Sequence, residues 1–125
     1  SVPIGKGVMP IDQLLACGVN VVCGTDSVID WWSSFGMCDM LEKAKLAAEL
    51  YNMRTEFKLS RTLGLATGRI TPLNDKGERV WPKVGDDASF NLLPASCSAE
   101  AVARLTERTA VFHRGVLASG NLKTA

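Results

Sequence analysis

The predicted fold is decided by the stretch Gly18-Val-Asn-Val-Val-Cys-Gly-Thr-Asp-Ser-Val-Ile-Asp30, in which an apolar run ends at a carboxylate. Pro10 opens a short helical segment that Gly18 closes, and a buried strand over about residues 20–23 follows at once. Strands that read as unbroken Val-rich runs are usually covered on both faces, as in parallel α/β sheets and barrels. The stretch therefore predicts an α/β fold with Asp26 at the carboxyl end of a strand.

Asp26 is a candidate metal ligand or proton carrier, because active sites of barrels lie at the carboxyl ends of their strands. The alternative is an Asp that caps the next helix or closes a turn, and the local sequence leaves both open. Trp31 and Trp32 follow in the same polar loop, where two adjacent indoles form a natural wall for a flat heteroaromatic ligand. Packing of at least one indole in the core is the competing interpretation.

Two amphipathic helices are predicted after this loop. The first has an apolar stripe from Met37 to Tyr51, with Lys45 and Glu49 four residues apart on its solvent face. The second runs from about Thr55 to Ala66 and ends at Thr67-Gly68. Its predicted inward positions are Phe57, Leu59, Leu63 and Ala66.

The sequence pattern changes after residue 70, where short apolar segments alternate with residues typical of turns. Ser98 is predicted to cap a short helix with Glu100 in its first turn. A terminal hairpin is predicted from residues 109–113 and 116–119, with its turn at Arg114-Gly115. We therefore expect a barrel-like segment over residues 1–70 and a smaller β segment with one short helix over residues 71–125.

Composition indicates a globular domain that acts on a small molecule. Of the 125 residues, 46% are hydrophobic and 22% are charged, and the formal net charge is +1. No segment accumulates Lys and Arg, so neither a nucleic-acid groove nor a membrane patch is expected. The absence of a membrane-length apolar run or a signal pattern favours a cytoplasmic location. The four cysteines, which lack metal-site spacing, are expected to be buried free thiols.

Conventional hydrolytic sites cannot be assembled from this sequence alone. A catalytic zinc site usually takes three protein ligands, mostly His, and the chain has one His, His113 in the predicted hairpin. Ser27 and Cys23 lie near Asp26, but no adjacent histidine could serve as their base. Either the reaction uses no metal or the remaining ligands are missing.

Several pieces of the chain together resemble the amidohydrolase superfamily, in particular its branch of cytosine deaminases and isopropylammelide (triazine) amidohydrolases. Pro10 to Trp32 resembles the last barrel unit of these enzymes. Leu65-Ala-Thr-Gly68, Lys83 to Leu93 and Val111 to Leu117 resemble the ending in which they return from the barrel to a small β-sandwich. The resemblance covers nearly the whole chain and implies the last βα units of a TIM-like (β/α)8 barrel followed by part of a β-sandwich.

The resemblance also implies roles for particular residues. The Asp that matches Asp26 binds the catalytic divalent metal, zinc or iron, and takes a proton from the attacking water. Trp32 matches an indole that shapes the substrate pocket. Ser27 stands where cytosine deaminase has a second acidic residue near the substrate, which puts cytosine itself in doubt.

The histidines and the acid/base glutamate of such enzymes belong to earlier barrel strands. The resemblance therefore implies the C-terminal portion of an enzyme of about 400 residues, because a barrel alone takes about 250. The isolated chain should be inactive, should bind no metal, and should self-associate through uncovered strand edges, with a homo-oligomer expected. The alternatives are a cyclic-amide hydrolase similar to dihydroorotase or hydantoinase, and a non-catalytic association module.

Overall fold

The computed structural model describes residues 8–32, 34–68 and 70–122, so Ser1 to Gly7 of the predicted barrel-like segment lie outside the described residues. The described part is an α/β fold with a small sheet, as predicted. None of its helices is long and apolar enough to cross a membrane. The helices are α1 (Ile11–Ala16), α2 (Met40–Leu50), α3 (Glu56–Thr67) and α4 (Ser98–Arg104), and the strands are β1 (Phe90–Leu92), β2 (Ala110–His113) and β3 (Val116–Gly120).

Helices α2 and α3 confirm the two predicted amphipathic segments. Helix α2 begins three residues later than the apolar stripe suggests, because Asp39 caps it by accepting a hydrogen bond from the Leu41 N–H at 2.8 Å. Thr55 caps α3 in the same way through the Lys58 N–H at 3.3 Å. Helix α3 ends at Gly68, whose φ of 68° lies in the left-handed region that glycine tolerates.

The apolar faces of these helices form two adjoining cores. In the first, α1 and residue Val21 pack against α2 and α3 through Ile11, Val21, Ala47 and Leu65. In the second, α4 joins α2 and α3 through Leu41, Ala44 and Val102. The prediction that Phe57 points inward is wrong, since its side chain is exposed on α3 while Leu59, Leu63 and Ala66 pack against the second core.

The predicted strand over residues 20–23 does not form a ladder within the described part of the chain. Its link to a neighbour is a hydrogen bond from the Cys23 N–H to the Leu65 carbonyl at 2.8 Å. Val21 is buried and Cys23 half-buried, whereas Val22 is 57% exposed. In the described chain one face of this segment packs on helices and the other is open, so cover on both faces is not seen there.

The carboxyl-terminal third contains the predicted hairpin. Strand β2 pairs antiparallel with β3 and with β1, in the order β1-β2-β3. Arg114 and Gly115 both have positive φ, 49° and 79°, as a type I′ turn requires. Phe90 stacks on Phe112 across β1 and β2, with ring centroids 4.9 Å apart.

Two local predictions fail in this region and among the cysteines. Helix α4 begins at Ser98, so Cys97 and not Ser98 holds the cap position, and the Glu100 carboxylate reaches back to the Ser96 N–H at 2.8 Å. All four cysteines are free, as predicted, but only Cys23 is partly buried. The other three lie on exposed turns and loops, which local apolar composition does not reveal: Cys17, Cys38 and Cys97.

Candidate functional site

Asp26 is exposed and lies three residues after Cys23, which packs against the first core together with Val21. The hydrogen bond from Cys23 to Leu65 of α3 fixes the start of the segment that carries Asp26. Burial raises the pKa of the Cys23 thiol, which keeps it protonated at neutral pH and makes it a poor nucleophile. Among the described residues, the Asp26 carboxylate has no hydrogen-bond or ion-pair partner, so it is available to an outside ligand.

The two sides of the loop that carries Asp26 lie close together at its base, and we call its described residues, 24–32 and 34–38, the site loop. The Thr25 hydroxyl lies 3.7 Å from the Met40 sulfur, at the first turn of α2. Gly36 is buried, and a Cβ built on it would lie 2.1 Å from the Ser27 carbonyl oxygen. Glycine is thus required at position 36 for space, because the two sides of the loop touch backbone to backbone.

The tip of the site loop presents aromatic side chains to solvent. Trp31 is 96% exposed, Trp32 89% and Phe35 90%. The Asp30 carboxylate accepts a hydrogen bond from the Trp32 N–H at 2.9 Å, which forms an Asx turn beneath the two indoles. Within the described chain neither indole packs in a core, and so many uncovered aromatic rings on one loop mark an interaction surface.

An ion pair that sequence reasoning missed fixes the far end of the site loop. Arg108 donates two hydrogen bonds to the Asp39 carboxylate, at 2.7 and 2.5 Å. The bond to Arg108 lowers the pKa of Asp39, and the bond from the Leu41 N–H contributes in the same direction. The partners are 69 positions apart, so no local spacing signal could have linked them.

The sequence-predicted site residues occupy one loop but do not form a complete site. Asp26 and Trp32 are exposed and Ser27 is half-buried, and no described contact joins the three side chains. His113 lies at the end of β2, exposed to solvent. Within residues 8–32, 34–68 and 70–122, no group of three or more His, Cys, Asp or Glu side chains could hold a metal ion.

Two cavities of the described chain lie away from the site loop. One of about 80 Å³ lies between α3 and residues 71–77, where Arg61 bonds to Thr71 and to the Leu73 carbonyl. A wider groove of about 380 Å³ lies beside α2 and the segment before α3. Neither is lined by Asp26, Ser27 or Trp32, so neither is an enclosed pocket around the candidate site.

Comparison with known proteins gives the family. Residues 2–121 match the model of the amidohydrolase family. The chain belongs to the amidohydrolase family. A relative, the uncharacterized protein YahJ of Escherichia coli (strain K12), is 62% identical over 122 residues, which cover 98% of this chain and 26% of that protein.

Two solved structures resemble this amidohydrolase-family chain. N-isopropylammelide isopropylaminohydrolase from Burkholderia multivorans ATCC 17616 matches with a TM-score of 0.70 and 28% identity, covering 91% of this chain and 30% of that one. The 5-methylcytosine deaminase from Klebsiella pneumoniae liganded with 5-fluorocytosine matches with a TM-score of 0.71 over 100% of this chain and 30% of that one. At 22% identity the second likeness shows the fold alone. The chain spans less than a third of each of these relatives.

Proposed function

We propose that this chain is part of an enzyme that hydrolytically deaminates a cytosine-like or triazine-like ring. The observation that carries the proposal is Asp26, an uncommitted carboxylate three residues after the packed Cys23, in a chain of the amidohydrolase family. The similar solved proteins include one named for isopropylammelide and one named for 5-methylcytosine. Both named compounds are small heterocycles that carry an amino or alkylamino group on the ring.

The open face of residues 20–23 supports the larger architecture that we propose. Val22 is 57% exposed in the described chain, between Val21 and Cys23, which pack on the helices. This alternation suits a strand whose outer face packs on helices and whose inner face completes a barrel. We propose that residues 1–70 supply the last βα units of a TIM-like barrel. Residues 71–125, with the sheet β1-β2-β3, would supply part of the adjoining β-sandwich.

Asp26 suits a divalent metal, since carboxylate oxygen is a ligand of both zinc and iron and this one is exposed and unpaired among the described residues. It can contribute one ligand, and the others would come from the rest of the enzyme. A bound metal would lower the pKa of water to about 7. Asp26 would take a proton from the attacking water and pass it to the leaving amine, while a ring C–O bond forms and the C–N bond breaks. Ammonia leaves from an amino-substituted ring, and an alkylamine leaves from an alkylamino-substituted one.

Two further side chains of the site loop would shape the substrate pocket. Trp32 offers an exposed indole face on which a flat ring can stack. Ser27 offers a hydroxyl, which both donates and accepts hydrogen bonds but carries no charge. A substrate that needs a carboxylate at this position is therefore disfavoured relative to one that needs a neutral partner.

The decisive experiment replaces Asp26 with Asn in the complete enzyme. Turnover should fall at least about a thousandfold, because Asn can neither accept the proton nor bind the metal as an anion. Asp30→Asn is the matched control: it removes a charge four residues away but keeps the Asx turn, and it should retain turnover. An Asp26→Asn enzyme with wild-type kcat would refute the assigned role.

Product analysis separates the proposal from its competitors. Release of ammonia or an alkylamine from an intact ring supports deamination, whereas a ring-opened product would identify a cyclic-amide hydrolase. Trp32→Ala should raise KM about tenfold with little change in kcat, since stacking acts equally on substrate and transition state. Stoichiometric zinc or iron in the isolated 125-residue chain would contradict the view that its metal site is incomplete.

A further inference from the structure

The contact between Gly36 and Ser27 lies one residue from Asp26. A Cβ at position 36 would approach the Ser27 carbonyl oxygen to 2.1 Å, the Ser27 carbonyl carbon to 2.8 Å and the Val28 Cα to 3.2 Å. All three are backbone atoms, which cannot move aside as a flexible side chain can. A side chain at position 36 would therefore push the Gly36 side of the site loop and the Ser27 side apart.

The Gly36 side of this contact is held firmly. Three residues later Asp39 caps α2 through the Leu41 N–H and receives both hydrogen bonds of Arg108. Bidentate pairing fixes orientation as well as distance. Asp39 and Arg108 are only 21% and 30% exposed, so water competes weakly for the pair.

The Ser27 side has a looser attachment. The nearest backbone hydrogen bond before it is that of Cys23, four residues away, and the contact of Thr25 with the Met40 sulfur is weak. A steric clash at position 36 would consequently displace residues 24–27 and not the Gly36 side. Asp26 lies within that segment.

We propose that Gly36 is a positioning residue for Asp26, and that the Asp39–Arg108 pair holds the Gly36 side of the contact in place. The close contact sets where the Ser27 backbone lies, and thereby where the neighbouring Asp26 carboxylate points. This inference rests on the proposed role of Asp26 as metal ligand and proton carrier. It assigns a function to three residues that do not themselves touch substrate or metal.

The test is Gly36→Ala in the complete enzyme, measured by kcat, KM and metal affinity in a chelator competition with zinc. A displacement of about 1 Å at a catalytic group can cost about a hundredfold in rate, so kcat should fall by about that factor. Zinc affinity should fall about tenfold to a hundredfold, as when a partner that orients a metal ligand is lost. KM should rise as well, because Ser27, which we place in the substrate pocket, moves with the same segment, so the loss of zinc affinity is the readout specific to Asp26.

Gly120→Ala is the matched control, since its Cβ would also meet backbone, at 2.2 Å from the Thr109 carbonyl oxygen, but in the β2-β3 hairpin. It should lower the unfolding temperature without changing kcat per folded molecule or zinc affinity. If Gly36→Ala does not fold, Arg108→Gln tests the positioning role in its place. This change removes the ion pair that holds the Gly36 side of the contact and introduces no steric clash. Arg108→Gln should lower kcat and zinc affinity by smaller factors.

The outcomes distinguish this inference from the proposed function. Wild-type kcat and zinc affinity in folded Gly36→Ala, or in Arg108→Gln where Gly36→Ala does not fold, would overturn the positioning role even if Asp26→Asn is inactive. A raised KM with unchanged kcat and unchanged zinc affinity would also overturn it, because Gly36 would then act on substrate binding through Ser27 or Trp32 and not on Asp26. If Asp26→Asn keeps both turnover and zinc, the proposed function itself has failed.

Discussion

The helical core and the site loop are adjacent in sequence but differ completely in how they are stabilised. Helix α2 buries Leu41 and Ala44 against α3 and α4, and Asp39 binds Arg108 at its start. The site loop just before it leaves Trp31 and Phe35 almost fully exposed. The helical core makes its packing and ion-pair contacts within the chain. The site loop presents aromatic side chains that a ligand or further protein could cover.

The comparison predicts the largest stability effect in the helical core. Leu41→Ala should lower the free energy of unfolding by about 3 kcal/mol, the usual cost of emptying a packed site. Leu46→Ala on the exposed face of the same helix should cost less than about 1 kcal/mol. Denaturant unfolding of both variants measures the difference, and equal losses would mean that the two faces of α2 are not distinguished by burial.

A second, smaller effect is expected at the border between the two regions. Asp39→Ala removes both the cap and the ion pair and should cost about 2 kcal/mol, roughly half from each. Asp39→Asn keeps a capping side chain and loses the charge, so it should cost about 1 kcal/mol. Unfolding at neutral pH separates the two contributions, and identical losses would assign the whole effect to one of them.

The ion pair also predicts a pH dependence whose sign follows from the lowered pKa of Asp39. A carboxyl with a lower pKa in the folded state stabilises the fold above its unfolded pKa of about 3.9 and loses that effect as pH falls through the folded pKa. The stability gap between wild type and Asp39→Asn should therefore be constant above about pH 5 and shrink below about pH 4. A gap that widens on acidification would contradict the pairing.

The same comparison explains which parts of the structure could be predicted from sequence. Helices α2 and α3 were predictable because their apolar spacing and their caps are local. The hairpin was predictable because Arg114-Gly115 is a local turn signal. The family resemblance, confirmed by the match over residues 2–121, rested on several such pieces in a fixed order.

Features that depend on distant parts of the chain were not predictable. The Asp39–Arg108 pair joins residues 69 positions apart, and the need for glycine at position 36 arises from a carbonyl across the loop. Phe57 has helical spacing but is 51% exposed, because it lies at the rim of the small cavity between α3 and residues 71–77 and not in either core. The roles of Asp26, Ser27 and Trp32 remain proposals, because the groups that would complete their site are not among the described residues.

The smallest stability effect is expected at the tip of the site loop. In the isolated chain, Trp31→Ala should change the free energy of unfolding by less than about 0.5 kcal/mol, because the indole has almost no contacts to lose. Trp81→Ala, which removes a partly buried indole, is the matched control and should cost clearly more. Both are measured at two protein concentrations, since self-association through exposed rings would make the Trp31 effect grow with concentration. A loss at Trp31 that equals the loss at Trp81 when dilute would mean that the site loop packs against its own chain, and the contrast between the two regions would fail.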